Sequence, residues 1–116
     1  IADESTGKWW MHYGSFFGGL YCVELNPETG LVLNEGDWGH LVARRANYRK
    51  DNLEAPEIIY HPELKQYYLF TSYDPLMTTY NVRVSRSDAA EGPFTDYFGK
   101  AVKDTTNNFP ILTAPF

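Results

Sequence analysis

Glu54 and Glu57 stand three residues apart in the stretch DNLEAPEIIYHPE, with Ala55 and Pro56 between them at the entrance to an apolar run. Two neighbouring carboxyls can divide acid and base duties, one delivering a proton to a leaving oxygen while the other activates water. In a regular strand, however, residues an odd number apart point to opposite faces. The pair is therefore expected to be split, with Glu57 turned to the surface or to a hydrogen bond. Glu54 remains as a candidate proton donor. Pro56 is expected to hold Ala55 extended, and the small Ala55 allows chain or ligand to approach closely. Leu53, Ile58, Ile59 and Tyr60 are expected to shield the Glu54 carboxyl from water, which favours its protonated form.

Other chemistry-bearing residues form weaker patterns. Asp37, Trp38 and His40 in EGDWGH read as a loop, with Trp38 filling space between repeats. His12, His40 and His61 lack metal-ligand spacing, and Cys22 is a lone thiol in the strand context LYCVEL, so no metal site or intrachain disulfide is expected. The basic run ARRANYRK, carrying Arg44, Arg45, Arg49 and Lys50, reads as a solvated strand end. No glycine-rich phosphate loop accompanies it. The net charge of −5 repels nucleic acid and anionic membrane, so neither is expected as a partner. No apolar stretch reaches membrane-spanning length, and no signal peptide is recognisable. The chain opens on Ile1 without an initiator Met, and both ends read as cut from something longer.

These residues must be positioned by strands. An aromatic fraction of 16% suits both strands and sugar stacking. KWWMHYGSFF and GLYCVELNPETGLVL are aromatic and β-branched runs joined by Gly-Gly, and NPETG supplies a tight turn. EIIYHPELKQYYLFTSY and TTYNVRVSRS repeat the scheme, with Val82 and Val84 expected on a buried face and Arg83 and Arg86 outside. SDAAEG reads as one helical turn stopped by Gly92-Pro93. At an offset of 57, Trp10, Met11 and Tyr13 fall on Tyr67, Tyr68 and Phe70, and Ser15 falls on Ser72. With two residues inserted, Tyr21, Val23 and Leu25 fall on Tyr80, Val82 and Val84. Repeat units of about 1–53 and 54–116, each of about four strands, have the pattern of β-propeller blades. Two blades cannot close a ring, so further blades are required.

Three motifs then resemble glycoside hydrolase family 43, most closely its endo-1,5-α-L-arabinanase branch. They are WMHYGSFFGGLYCVELNPETGL, NLEAPEIIYHPELKQYYLFTSYD and TTYNVRVSRSDAAEGPFTDYFG, which together cover nearly the whole chain in order. The resemblance implies an all-β fold in which the chain supplies about two consecutive blades of a five-bladed β-propeller. It also implies inverting hydrolysis of arabinan or arabino-oligosaccharide, plant cell-wall polysaccharides, by an exported protein. The Glu of the E-A-P motif, Glu54, takes the role of general acid. The base Asp and the Asp that modulates the acid fall upstream of Ile1, and Asp3 sits in a polar turn instead. Ser15, Phe16 and Phe17 match a cleft segment, the hydroxyl bonding sugar and the rings either stacking on it or packing between blades. Ser72 and Asp74 bond sugar hydroxyls or cap a turn, and Arg86 makes blade-to-blade contacts. No cofactor is implied for this segment, while a structural cation, calcium, is implied for a full propeller. The loop SYDPLMTTYNV differs from members with a glycine- or cysteine-bearing turn. Two alternatives stay open: a glycan-binding propeller without turnover, and the same chemistry on xylan-type arabinofuranosides or xylosides.

Overall fold

A computed structural model describes residues 1–45, 52–104 and the backbone of 110–113. Arg49 and Lys50 of the basic run lie outside the described residues, as does most of NFPILTAPF. The chain is all-β. Strands β1 (Trp9–Ser15), β2 (Gly19–Leu25) and β3 (His40–Ala43) form one antiparallel sheet in that order. Strands β4 (Leu53–His61), β5 (Gln66–Tyr73), β6 (Asn81–Ser87) and β7 (Pro110–Thr113) form a second. β4 begins at Leu53, one residue before the unit boundary expected from the repeat. Among the described residues no helix is long and apolar enough to cross a membrane.

The turns follow from their residues. In NPETG, Gly30 N–H donates to the Asn26 carbonyl at 2.8 Å and Glu28 N–H to Asn26 Oδ1 at 2.8 Å. The β1–β2 hairpin closes through Phe16, Phe17 and Gly18. Gly19 there has φ +84°, and a Cβ would stand 2.9 Å from the Ala43 carbonyl oxygen, so a side chain is excluded sterically and conformationally. SDAAEG forms a turn rather than a helix, with Gly92 N–H donating to Ala89 O at 3.1 Å.

The sheets share one core. Trp10, Leu20, Cys22, Val42 and Ala43 from the first meet Leu53, Tyr67, Leu69 and Tyr73 from the second, with Ala90, Phe94 and Val102 closing the cluster. Burying Leu69 alone contributes about 1.5–3 kcal/mol. Polar ties complement this core. Tyr67 Oη accepts the Glu4 N–H at 2.6 Å, His40 Nε2 lies 2.9 Å from Glu91 O, and Arg44 N–H donates to Val102 O at 3.2 Å. Asp3 is nearly fully buried. Its Oδ1 accepts from Ser5 and Thr6, and its Oδ2 accepts the Ala90 N–H at 2.9 Å. Burial pushes its pKa upward, but these donors outweigh burial and hold the carboxyl well below the usual range.

Several expectations are corrected. β6 buries Asn81, Arg83, Ser85 and Ser87, while Val82 and Val84 are half-buried on the other face. The apolar and polar sides are thus reversed from the simple alternation, because Arg83 and Asn81 find buried partners. Trp38 is 78% exposed and fills no space between the sheets. Arg86 has an exposed side chain, and its backbone bonds Thr95. The arginine that joins the first sheet's end to the second sheet is Arg45. The repeat also slips. β1 pairs Trp10 with Glu24, and β5 pairs Tyr67 with Ser87. Glu24 is therefore equivalent to Ser87, and Tyr21 to Val84 rather than to Tyr80. The longer β5–β6 loop carries the extra residues.

Candidate active site

The start of β4 departs from a regular strand. Glu54 pairs with Ser72 and Glu57 pairs with Phe70, so Ala55 and Pro56 together oppose Thr71. This is a β-bulge, and Ala55 takes the left-handed φ of +53° rather than the extended conformation expected before Pro56. A proline on a sheet's edge strand is itself a bulge signal that the sequence offered. The extra residue restores the parity between the two glutamates. Ser72 and Phe70 are two apart on β5, so Glu54 and Glu57 share one face of the sheet. The expectation that they are split across the strand is overturned. Leu53, Ile58 and Tyr60 line the opposite, core-facing side with Tyr73, Leu69 and Tyr67. They do not cover the Glu54 carboxyl, and Ile59, on its own face, is 49% exposed.

What meets Glu54 comes from elsewhere. Tyr80, at the end of the β5–β6 loop, donates its hydroxyl to Glu54 Oε1 at 3.0 Å. Among the described residues Oε2 has no partner, and Glu57 forms no ion pair. Ser72 sits directly opposite Glu54 and is half-buried. The β1–β2 turn reaches the same end of the molecule. Asn52 N–H donates to the Phe16 carbonyl at 3.1 Å, and Asp74 N–H donates to the Asn52 carbonyl at 2.9 Å. This backbone relay sets Ser15, Phe16 and Phe17 beside the β4 entry and the β5 exit. Ser15 is exposed, Phe17 is 67% exposed, and the Phe16 and Phe17 rings meet edge to face at 5.7 Å.

Asp74 carries a different load. Its carboxylate is paired with Arg45 and takes Arg83 Nη2 at 3.4 Å and Asn81 Nδ2 at 3.0 Å. Arg83 Nε in turn donates to Asn81 Oδ1 at 2.8 Å, and the Arg83 guanidinium lies 4.3 Å over the Tyr73 ring. The structure therefore brings Ser15, Phe16, Phe17, Glu54, Ser72 and Asp74 to one end of the two sheets, with the Asp74 carboxylate engaged by protein groups. Tyr80, Arg45, Arg83 and Asn81 were not among the sequence candidates. Tyr80 had entered only as a repeat marker, and no spacing rule points from it to Glu54.

Asp37 and His40 do not build a second site. Asp37 Oδ1 accepts the Gly39 N–H at 2.7 Å, and His40 bonds Glu91 O. Burial pushes the Cys22 thiol up to about 12 and makes it an inert core residue. Among the described residues no three His, Cys, Asp or Glu side chains converge to hold a metal ion.

No family model matches the chain. The chain is 38% identical over 103 residues, 87% of its length, to the extracellular endo-α-(1→5)-L-arabinanase 2 of Bacillus subtilis (strain 168), of which it covers 21%. It superposes on the glycoside hydrolase, family 43 YxiA protein from Bacillus licheniformis with a TM-score of 0.76 at 34% identity, covering 90% of this chain and 24% of that one. The chain is similar to a segment of glycoside hydrolase family 43 arabinanases. This arabinanase-like segment also superposes on the Cellvibrio cellulosa α-L-arabinanase complexed with arabinohexaose, with a TM-score of 0.82 at 28% identity, over 99% of this chain and 39% of that one. The segment spans 21–31% of the length of the curated relatives it matches. Its two sheets are accordingly parts of a five-bladed β-propeller.

Proposed function

We propose that the protein carrying this segment hydrolyses α-L-arabinofuranosyl linkages of arabinan with inversion, and that Glu54 is its general acid. The observation that carries the proposal is the placement of Glu54. Its carboxyl sits beside a β-bulge at the sheet end that also gathers Ser72 and the Ser15–Phe17 turn, with one oxygen held and the other unpartnered among the described residues. The relatives named as arabinanases supply the substrate class. In the proposed reaction, Glu54 Oε2 delivers a proton to the leaving glycosidic oxygen as the bond to the anomeric carbon breaks. A second carboxylate, roughly 6.5–9.5 Å away and supplied from outside this segment, draws a proton from the attacking water. Ser15 and Ser72 offer hydroxyls to sugar, and Phe16 and Phe17 offer ring surface for stacking. Asp74 acts on sugar only by giving up part of its arginine pairing, so its proposed contact is the weakest of the set. The other blades complete the site.

Stereochemistry tests the reaction type. The full protein is incubated with a linear α-1,5-arabino-oligosaccharide and the first-formed anomer is read by NMR. The β-anomer is expected, and initial α-anomer contradicts inversion. The 116-residue segment alone is expected to show no hydrolysis, and turnover by the purified segment would overturn this division of the site.

A further inference from the structure

We propose that Tyr80 is a positioning residue that fixes which oxygen of Glu54 carries the transferable proton. The inference rests on the reading of Glu54 as the acid. A carboxylic acid presents two oxygens, and a proton on the wrong one cannot reach the leaving group. The Tyr80 hydroxyl donates to Oε1 at 3.0 Å. An oxygen that already accepts a hydrogen bond is the carbonyl-like oxygen of the acid, so the proton resides on Oε2, which has no partner among the described residues. The bond also limits rotation of the carboxyl.

The backbone makes this arrangement specific. Tyr80 directly precedes β6, and its position shares a face with Val82, which pairs with Ser72, which pairs with Glu54. Tyr80 therefore approaches Glu54 from across the sheet. The next residue, Asn81, is clamped to Tyr73 O at 3.4 Å, to Asp74 Oδ2 at 3.0 Å and to Thr79 O at 2.8 Å. These bonds fix the chain where it leaves the loop, so the Tyr80 ring is anchored at its base. On the Glu54 side the bulge at Ala55-Pro56 fixes the carboxyl's base in the same way. The neighbouring charged groups are Glu57, on the same face of β4, and Asp74, which is occupied by Arg45 and Arg83.

Tyr80→Phe in the full protein tests the assignment, because it removes the donor and keeps the ring. Turnover of arabinan is expected to fall about tenfold with KM changed less than about twofold. Substrates with acidic phenol leaving groups are expected to be nearly spared, since they need little protonation. The same substitution in a Glu54→Gln background is expected to have no further effect. An unchanged kcat, or equal losses on both substrate types, overturns the proposal. If Glu54→Gln itself retains full turnover of arabinan, the acid assignment fails. If Glu54→Gln is inactive and Tyr80→Phe behaves as wild type, only the Tyr80 proposal fails.

Discussion

The two sheets start from the same aromatic strand pattern and end as different materials. In the first, the most deeply buried side chains are apolar, Trp10, Leu20, Cys22, Val23, Val42 and Ala43, with the His12 ring half-buried against Phe94. In the second, β5 and β6 bury Thr71, Asn81, Arg83, Ser85 and Ser87 beside Tyr67, Leu69 and Tyr73. The first sheet's register shift lies between Leu20 and Tyr21, whereas one of the second sheet's two shifts adjoins Glu54. An apolar sheet face packs well but does not fix the direction of a polar group. A buried network of hydrogen bonds does, because each member must meet its partner at a defined angle. The second sheet accepts that constraint at the end where Glu54, the proposed acid, lies.

Removing the centre of the network tests this contrast most severely. Asp74→Ala removes the carboxylate that Arg45 and Arg83 share, and a loss of about 3–5 kcal/mol in urea unfolding of the full protein is expected. A loss below about 1 kcal/mol would mean that the polar face contributes little to order.

Acid should reveal a second difference, between His12 on the first sheet and Asp3 before it. Burial lowers the His12 pKa to about 4, and its ring packs edge-on against Phe94 with centroids 5.9 Å apart. The unfolded chain takes up a proton at His12 that the folded chain refuses. Stability from this residue is therefore complete above pH 6.5 and declines as pH falls toward 4, by on the order of 2–3 kcal/mol. Asp3 also has a lowered folded pKa, so its contribution is complete above the unfolded carboxyl range and is lost in stronger acid. His12→Leu should flatten the slope between pH 6.5 and 4, and Asp3→Asn should flatten the slope below it. Denaturant melts across pH decide the matter, and identical slopes in both variants would contradict the assignment.

The smallest effect concerns two alanines. Ala55 sits at φ +53° in the bulge, so Ala55→Gly should stabilise by about 1 kcal/mol. Ala43 lies in β3 of the first sheet, where the change to Gly should destabilise by about 0.5–1 kcal/mol. Opposite signs in thermal melts are expected, and equal signs would argue against the bulge.

The all-β class, the hairpin at YGSFFGG and the turn at NPETG were legible in the sequence, because glycine placement and aromatic alternation act locally. The candidacy of Glu54 came from the motif around it. The bulge was not, since one added residue changes parity without changing composition, and Pro56 was read only as a stiffener. The reversed burial of β6 was hidden for a related reason. Hydrophobic periodicity assigns Val82 and Val84 to the core, whereas Arg83 enters it because Asp74, Asn81 and the Tyr73 ring are there to receive it. Such partners are distributed along the chain and meet only in the fold. Tyr80 belongs to this class as well.

The proton-donor role of Glu54 is tested most directly by comparing two leaving groups in Glu54→Gln. The full protein and the variant are assayed on arabinan and on an aryl α-L-arabinofuranoside with an acidic phenol. Turnover of arabinan is expected to fall at least about a hundredfold, while the activated aryl substrate loses far less. Losses of equal size on both substrates would contradict the assignment of Glu54 as the general acid.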